Sequence, residues 1–207
     1  MSGESCPTPV GTSLDLAVTH LRRGGIVAFP TETYYGLAVD PDCDVAVTRL
    51  FALKNRSADR PLLLLIEKEE QLGSIVESVP PVYLTLMKRY WPGPLTLIFP
   101  AGYSLSHQIT GNSGTVGIRI SPHPIARELV RRMGKPITAT SANISGLPPA
   151  QSALEVVKMF GKSLDYIVDG GQTAGGLCST VLGLQQGKPT IIRPGQIDLS
   201  EEERISR

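Results

Sequence analysis

Lys54, Arg56 and Arg60 crowd three cations into the stretch Lys54-Asn55-Arg56-Ser57-Ala58-Asp59-Arg60, just ahead of Pro61 and an apolar run. A lysine supplies a compact point charge and an arginine a planar fork of donors, so together they suit the oxygens of a phosphate chain. Hydrogen bonds to charged groups contribute about 1.5–3 kcal/mol each, so several could hold a triphosphate. Two plainer readings stand beside that one. The cations could complement a helix C-terminal dipole, worth about 0.3–1 kcal/mol, or form a solvated loop.

Four other segments carry groups that could do chemistry. In Thr115-Val116-Gly117-Ile118-Arg119 the alternation of a strand puts Thr115, Gly117 and Arg119 on one face. An arginine in an apolar strand is costly unless paired, by a bound carboxylate or phosphate or by a structural Asp or Glu. Thr138 to Gly146 lines up small hydroxyl and amide side chains, including Ser141 and Asn143, which serve either a ligand or a hydrogen-bonded turn. Pro30-Thr31-Glu32-Thr33-Tyr34-Tyr35-Gly36-Leu37 packs hydroxyls and a carboxylate into a turn; composition alone favours threonines tying back to the backbone. Glu32 could equally touch a metal or an amine. Ser179-Thr180 and Arg193-Pro194-Gly195 bring a hydroxyl pair and another cation. His123 reads as a helix-start residue. Cys6, Cys43 and Cys178 have no CxxC spacing and read as separate reduced thiols.

Groups so dispersed need a sheet to gather them. Helices are expected from Thr12 or Ser13 to Gly24, from Asp42 or Asp44 to about residue 53, from Pro81 to Tyr90, over 123–133 and over 152–160. Short apolar runs predict strands at 26–29, 62–66, 95–99, 115–120, 136–140, 165–168, 179–184 and 190–193. The interleaving predicts an α/β sheet, mostly but not wholly parallel. The 207 residues suffice for one domain with a sizeable core, and 41% apolar content fits a globular chain. A net charge of +1 provides no global field for bulk nucleic-acid binding. The longest apolar run, Leu62–Ile66, is far too short to span a bilayer, and no signal-peptide pattern is evident, so a cytoplasmic location is expected. Residues 1–11, rich in Pro, Gly and Ser, read as a flexible tail ahead of one catalytic domain over 12–207.

Taken in order, PTETYYGL, LKNR, RPLLLLI, WPGPLTLI, VGIRIS-HP, ITATSANISG, DGG, ST and IIRPG resemble the YrdC family of threonylcarbamoyl-AMP synthases, from about residue 12 to 197. The resemblance implies a single-domain, twisted mixed α/β sheet with flanking helices around a deep basic cavity. It implies an ATP-consuming nucleotidyltransferase that makes threonylcarbamoyl-AMP and pyrophosphate from L-threonine, bicarbonate and ATP, with Mg²⁺ accompanying ATP and no metal held by the protein alone. The product would pass to a separate threonylcarbamoyl-transferase complex acting on tRNA, and a weak tRNA contact is compatible with the reading.

Carried over residue by residue, the resemblance implies catalytic roles for Lys54, Arg56, Ser141 and Asn143. It implies ATP contacts at Lys54, Arg56, Arg60, Thr115, Ser141, Pro149 and Arg193, and threonine contacts at Thr33, Arg119, Ala139 and Ser179. Leu65 stands where some relatives have a histidine near the threonine, and Cys178 departs from the usual residue before Ser179. The chain matches the short form of the family, with a more open site expected. Two competing readings remain: a paralogue that adenylates a carbamoyl group for another acceptor, and a non-catalytic RNA-binding module. The second lacks aromatic residues interleaved with its cations, which a stacking platform needs.

Overall fold

In the computed structural model, which describes residues 8–199, the chain folds into a ten-stranded mixed sheet with helices on both faces. In chain order the elements are β1 (Val10–Gly11), α1 (Leu14–Arg22), β2 (Val27–Pro30), β3 (Tyr35–Ala38), α2 (Asp44–Lys54) and β4 (Leu63–Leu65). A 3₁₀ turn (Glu69–Ser74), α3 (Pro81–Tyr90), β5 (Leu95–Pro100), α4 (His107–Thr110) and β6 (Thr115–Arg119) follow. The chain continues with α5 (Pro124–Met133), β7 (Ile137–Ser141), α6 (Ala153–Phe160), β8 (Tyr166–Val168), β9 (Thr180–Gln185) and β10 (Lys188–Arg193). The strand order is β1-β8-β2-β3-β7-β4-β6-β5-β9-β10.

Local chemistry sets the helix ends. Ser13 caps α1, its hydroxyl accepting from Leu16 N; Ser152 does the same for α6. Pro81 and Pro124 occupy first turns, where the missing N–H costs nothing. Gly134 closes α5 in the left-handed conformation (φ 77°) that glycine adopts without strain. At α2 the N-cap is Cys43, without a side-chain hydrogen bond, rather than either aspartate; Asp44 sits in the first turn, where its charge suits the helix dipole.

The sheet corrects two expectations. Four pairings are parallel (β1–β8, β2–β8, β4–β6, β5–β9) and five antiparallel (β2–β3, β3–β7, β4–β7, β5–β6, β9–β10), so it is not mostly parallel. Two of the five come from β3, hidden in the hydroxyl-rich segment: Tyr35–Ala38 turns back on β2 as a hairpin and also pairs antiparallel with β7. The tail also ends sooner than expected. Residues 1–7 lie outside the described residues, but Val10 and Gly11 pair with Ile167 and Val168, and the Thr8 hydroxyl donates to Gly161 O at 2.7 Å.

Period-2 alternation sorts the strand residues onto two faces. Ile26, Ala28, Leu37, Leu62, Leu64, Leu97, Val116, Ile118 and Leu182 form one core with residues of α2, α3 and α6. Val27, Phe29, Ala38, Leu65, Ile137, Ala139, Tyr166 and Val168 form a second core beneath α1 and α5. Beyond that second core lies the part of the sheet that carries the candidate site.

Candidate active site

On the face shared with α1 and α5, over β4, β5, β6, β9 and β10, the alternating positions carry Leu63, Thr96, Ile98, Gly117, Arg119, Val181 and Arg193, which line a cavity of about 540 Å³. The β2–β3 turn adds Thr31, Thr33 and Tyr34, the α2–β4 connection adds Arg56, Arg60 and Pro61, and the end of β7 adds Ala139, Thr140 and Ser141. Cys178 and Ser179 complete the wall ahead of β9. Strand alternation would let Arg193 or Ile192 face the cavity, not both. A register shift between Ile191 and Arg193 lets both line it. Gly195 lets the following turn lie on the backbone around Ser179, because a Cβ there would come within 2.3 Å of Cys178 O.

Eight of the sequence-derived residues thus meet in one cavity: Thr33, Arg56, Arg60, Arg119, Ala139, Ser141, Ser179 and Arg193. The guanidiniums of Arg60 and Arg193 both repel that of Arg56. Burial first, then Arg60 and Arg193, push Arg56 below the usual arginine range, and Asp59 opposes them less strongly. Arg56 Nη2 donates to Pro61 O at 2.9 Å, while its Nε is buried without an acceptor among the described residues. Arg193 Nη2 donates to Ser179 O (2.8 Å) and Oγ (3.1 Å), and the Ser179 and Thr96 hydroxyls lie 3.2 Å apart.

Arg119 is built differently. It is 4% exposed and its Nη1 donates to Glu32 Oε1; Ser121 Oγ donates to Glu32 Oε2 at 2.5 Å. Burial pushes the guanidinium down and Glu32 pulls it back up. Of the partners left open by the sequence, a structural Glu is therefore present. Arg119 Nε still lacks an acceptor among the described residues.

The other four residues do not line the cavity. Lys54 is 2% exposed. Its ammonium lies beneath the wall and donates to Ser141 O, to Asn143 O (2.7 Å) and to Asn143 Oδ1 (3.1 Å). Burial, and secondarily Arg56, push it down to about 7. Asn143 accepts from Ser141 Oγ (2.6 Å) and donates from Nδ2 to Leu147 O (2.6 Å), so Lys54 and Asn143 together brace the turn that presents Ser141. Thr115 starts β6 on the cavity's face of the strand, its hydroxyl 2.9 Å from Ser113 Oγ. Pro149 precedes Ala150, whose backbone bonds to Ala142 and Tyr35 tie that segment to β7 and β3. Leu65 is fully buried in the second core, opposite Arg119 in the β4–β6 register. The sequence reading missed Thr96, although a hydroxyl at an alternate position of an apolar strand was a usable signal.

The lining is rich in guanidinium and hydroxyl groups, and among the described residues no cluster of three or more His, Cys, Asp or Glu could hold a metal ion. It fits the oxygens of a polyanion.

Fold and site define an α/β protein with an arginine-lined, hydroxyl-rich cavity on the uncovered part of a mixed sheet. The chain belongs to the Sua5/YciO/YrdC family, whose profile, described as "Telomere recombination", matches residues 19–195. It is 42% identical over 190 residues to the threonylcarbamoyl-AMP synthase of Pyrococcus abyssi (strain GE5 / Orsay), which covers 92% of this chain and 56% of that protein. It is 41% identical to that of Bacillus subtilis (strain 168), covering 91% and 55%. The chain thus spans a little over half the length of these relatives. The crystal structure of P. abyssi Sua5 complexed with L-threonine superposes with a TM-score of 0.89 at 40% identity, covering 96% of this chain and 60% of that one.

Proposed function

We propose that residues 12–207 act as a nucleotidyltransferase making threonylcarbamoyl-AMP and pyrophosphate from L-threonine, bicarbonate and ATP. This would be the first step of threonylcarbamoyladenosine formation in tRNA. One observation carries the reading: Arg60 and Arg193 converge with Arg56 in one cavity, both repelling it, beside a fourth guanidinium, Arg119. An anion at the first three relieves the repulsion on Arg56, and a carboxylate suits the guanidinium of the fourth. Similarity to proteins named threonylcarbamoyl-AMP synthase, and to a structure described as bound to L-threonine, supports the choice of ligands.

In this reading the threonine amine and bicarbonate give a carbamate with loss of water. A carbamate oxygen attacks the α-phosphorus of ATP, and pyrophosphate leaves. The displacement needs no protein nucleophile; it needs alignment and neutralisation of developing charge. Arg56, Arg60 and Arg193 take the phosphates. Ser141 lies beside the reacting oxygens, its hydroxyl turning to them from Asn143 Oδ1, and Lys54 and Asn143 hold its turn. Thr115 and the backbone at Pro149 complete the nucleotide contacts. Arg119 takes the threonine carboxylate, with Thr33, Ser179 and the backbone of Ala139 around the amino acid. Magnesium enters with ATP as part of the substrate. The product passes to a separate transferase complex, any tRNA contact is weak, and the cytoplasm is the proposed location. Among the described residues no helix is long and apolar enough to cross a membrane.

The test is incubation with magnesium-ATP, L-threonine and bicarbonate. The expected result is pyrophosphate and a short-lived threonine-derived adenylate, both dependent on threonine and bicarbonate. Release that depends on carbamoyl phosphate instead, or salt-sensitive RNA binding with no turnover, would replace this reading with one of its rivals.

A further inference from the structure

The two kinds of arginine in the cavity pose a problem that the proposed reaction must solve. Arg119 lies close enough to Arg193 to be disfavoured by it. Left unpaired, it would extend the cationic surface of Arg56, Arg60 and Arg193 over the amino-acid end, and a polyphosphate would bind there too. Glu32 prevents this. It reaches across 87 positions of sequence to Arg119 Nη1, is fixed on its other oxygen by Ser121, and its charge is felt at His123. Its side chain is 13% exposed and that of Arg119 5%, so the pair is only weakly screened.

We propose, building on the function above, that Glu32 is a positioning and specificity residue that divides the cavity into a neutral amino-acid end and a cationic phosphate end. Two consequences follow from the geometry. With Nη1 held by Glu32, the guanidinium is fixed in one orientation on the cavity wall, ready to meet a carboxylate. With the charge of Arg119 cancelled, the pair adds no net charge to that end of the cavity. That matches a zwitterionic amino acid and penalises a multiply charged phosphate by leaving its charge uncompensated.

The test titrates the full chain by calorimetry with L-threonine and, separately, with pyrophosphate. For Glu32→Gln the L-threonine Kd should rise about tenfold while the pyrophosphate Kd falls about threefold, a split set by charge. A merely structural role would weaken both ligands together, and that result, or no change in either, overturns the proposal. Glu32→Asp and Ser121→Ala keep the negative charge but disturb its placement. They should weaken L-threonine about threefold and leave pyrophosphate unchanged; tightened pyrophosphate in either also overturns it. Should Glu32→Gln fail to fold, these two variants decide, and unaltered L-threonine affinity in both is the adverse result. Wild-type chain that binds no L-threonine would remove the proposed function itself, whereas wild-type binding with an unsplit Glu32→Gln removes this inference alone.

Discussion

One face of the sheet is finished in two ways. Over β8, β2 and β7 it is closed by α1 and α5, and the inward positions are Val27, Phe29, Ile137 and Val168, all essentially without exposure. Over β5, β6, β9 and β10 the corresponding positions are Thr96, Gly117, Arg119, Val181 and Arg193, and they line the cavity. The opposite face is apolar across both halves. Stability and chemistry are therefore separated along one surface. The covered half contributes burial, at roughly 25 cal/mol per Å² of apolar area. The open half gives up part of that contribution to keep space and donors for a ligand.

The sharpest way to break the contrast is to cut the covered half. Phe29→Ala should cost about 3–5 kcal/mol through lost burial and a cavity, read as a lower urea midpoint, with turnover per folded molecule unchanged. In the open half the outcome should reverse. Arg56→Ala should slow pyrophosphate release about 100-fold, roughly 2.7 kcal/mol of transition-state stabilisation. Its urea midpoint should hold or rise, because the repulsion from Arg60 and Arg193 is relieved. A fall in midpoint matching the loss of activity would erase the distinction.

Lys54 sits at the seam and titrates accordingly. Burial lowers its folded pKa to about 7 from the ordinary 10.5, so between those values the unfolded chain binds more protons and stability rises with pH. The gain is complete above the unfolded value and is lost as pH falls through the folded one. Relative to Lys54→Met, which does not titrate, wild-type stability should climb with pH across that window, by at most about 1.4 kcal/mol per pH unit. A flat difference would mean that its three acceptors hold the ammonium charged throughout. The smallest effect is expected at Gly117→Ala. The added Cβ would stand 3.2 Å from Thr96 Cγ2, so KM for the substrates should rise about threefold with little change in stability.

The covered half was the more legible in sequence, because apolar periodicity and caps such as Ser13 and Gly134 are local signals. The hairpin strand Tyr35–Ala38 was not, since its residues read as the continuation of a polar turn. The paired direction of strands depends on contacts far apart in the chain. The site divides the same way. Residue types and family motifs pointed to the arginines and hydroxyls, and eight of the twelve meet in the cavity. Lys54 was read as a point charge for phosphate, yet it lies beneath the cavity wall, although lysine is rarely buried. Only the fold brings Ser141 O, Asn143 O and Asn143 Oδ1 within its reach. The Arg119–Glu32 pair was likewise open in the sequence, where a bound anion and a structural carboxylate were equally acceptable partners.

The register shift at the end of β10 has a bearing beyond the ligand wall. β10 is the last strand in the sheet order, and an outermost strand offers unsatisfied backbone groups to any passing chain. Here the kink between Ile191 and Arg193, the missing N–H of Pro189 and the charge of Lys188 spoil that template. The distortion that aims Arg193 inward thus also guards the protein against fibril-like stacking with its own copies.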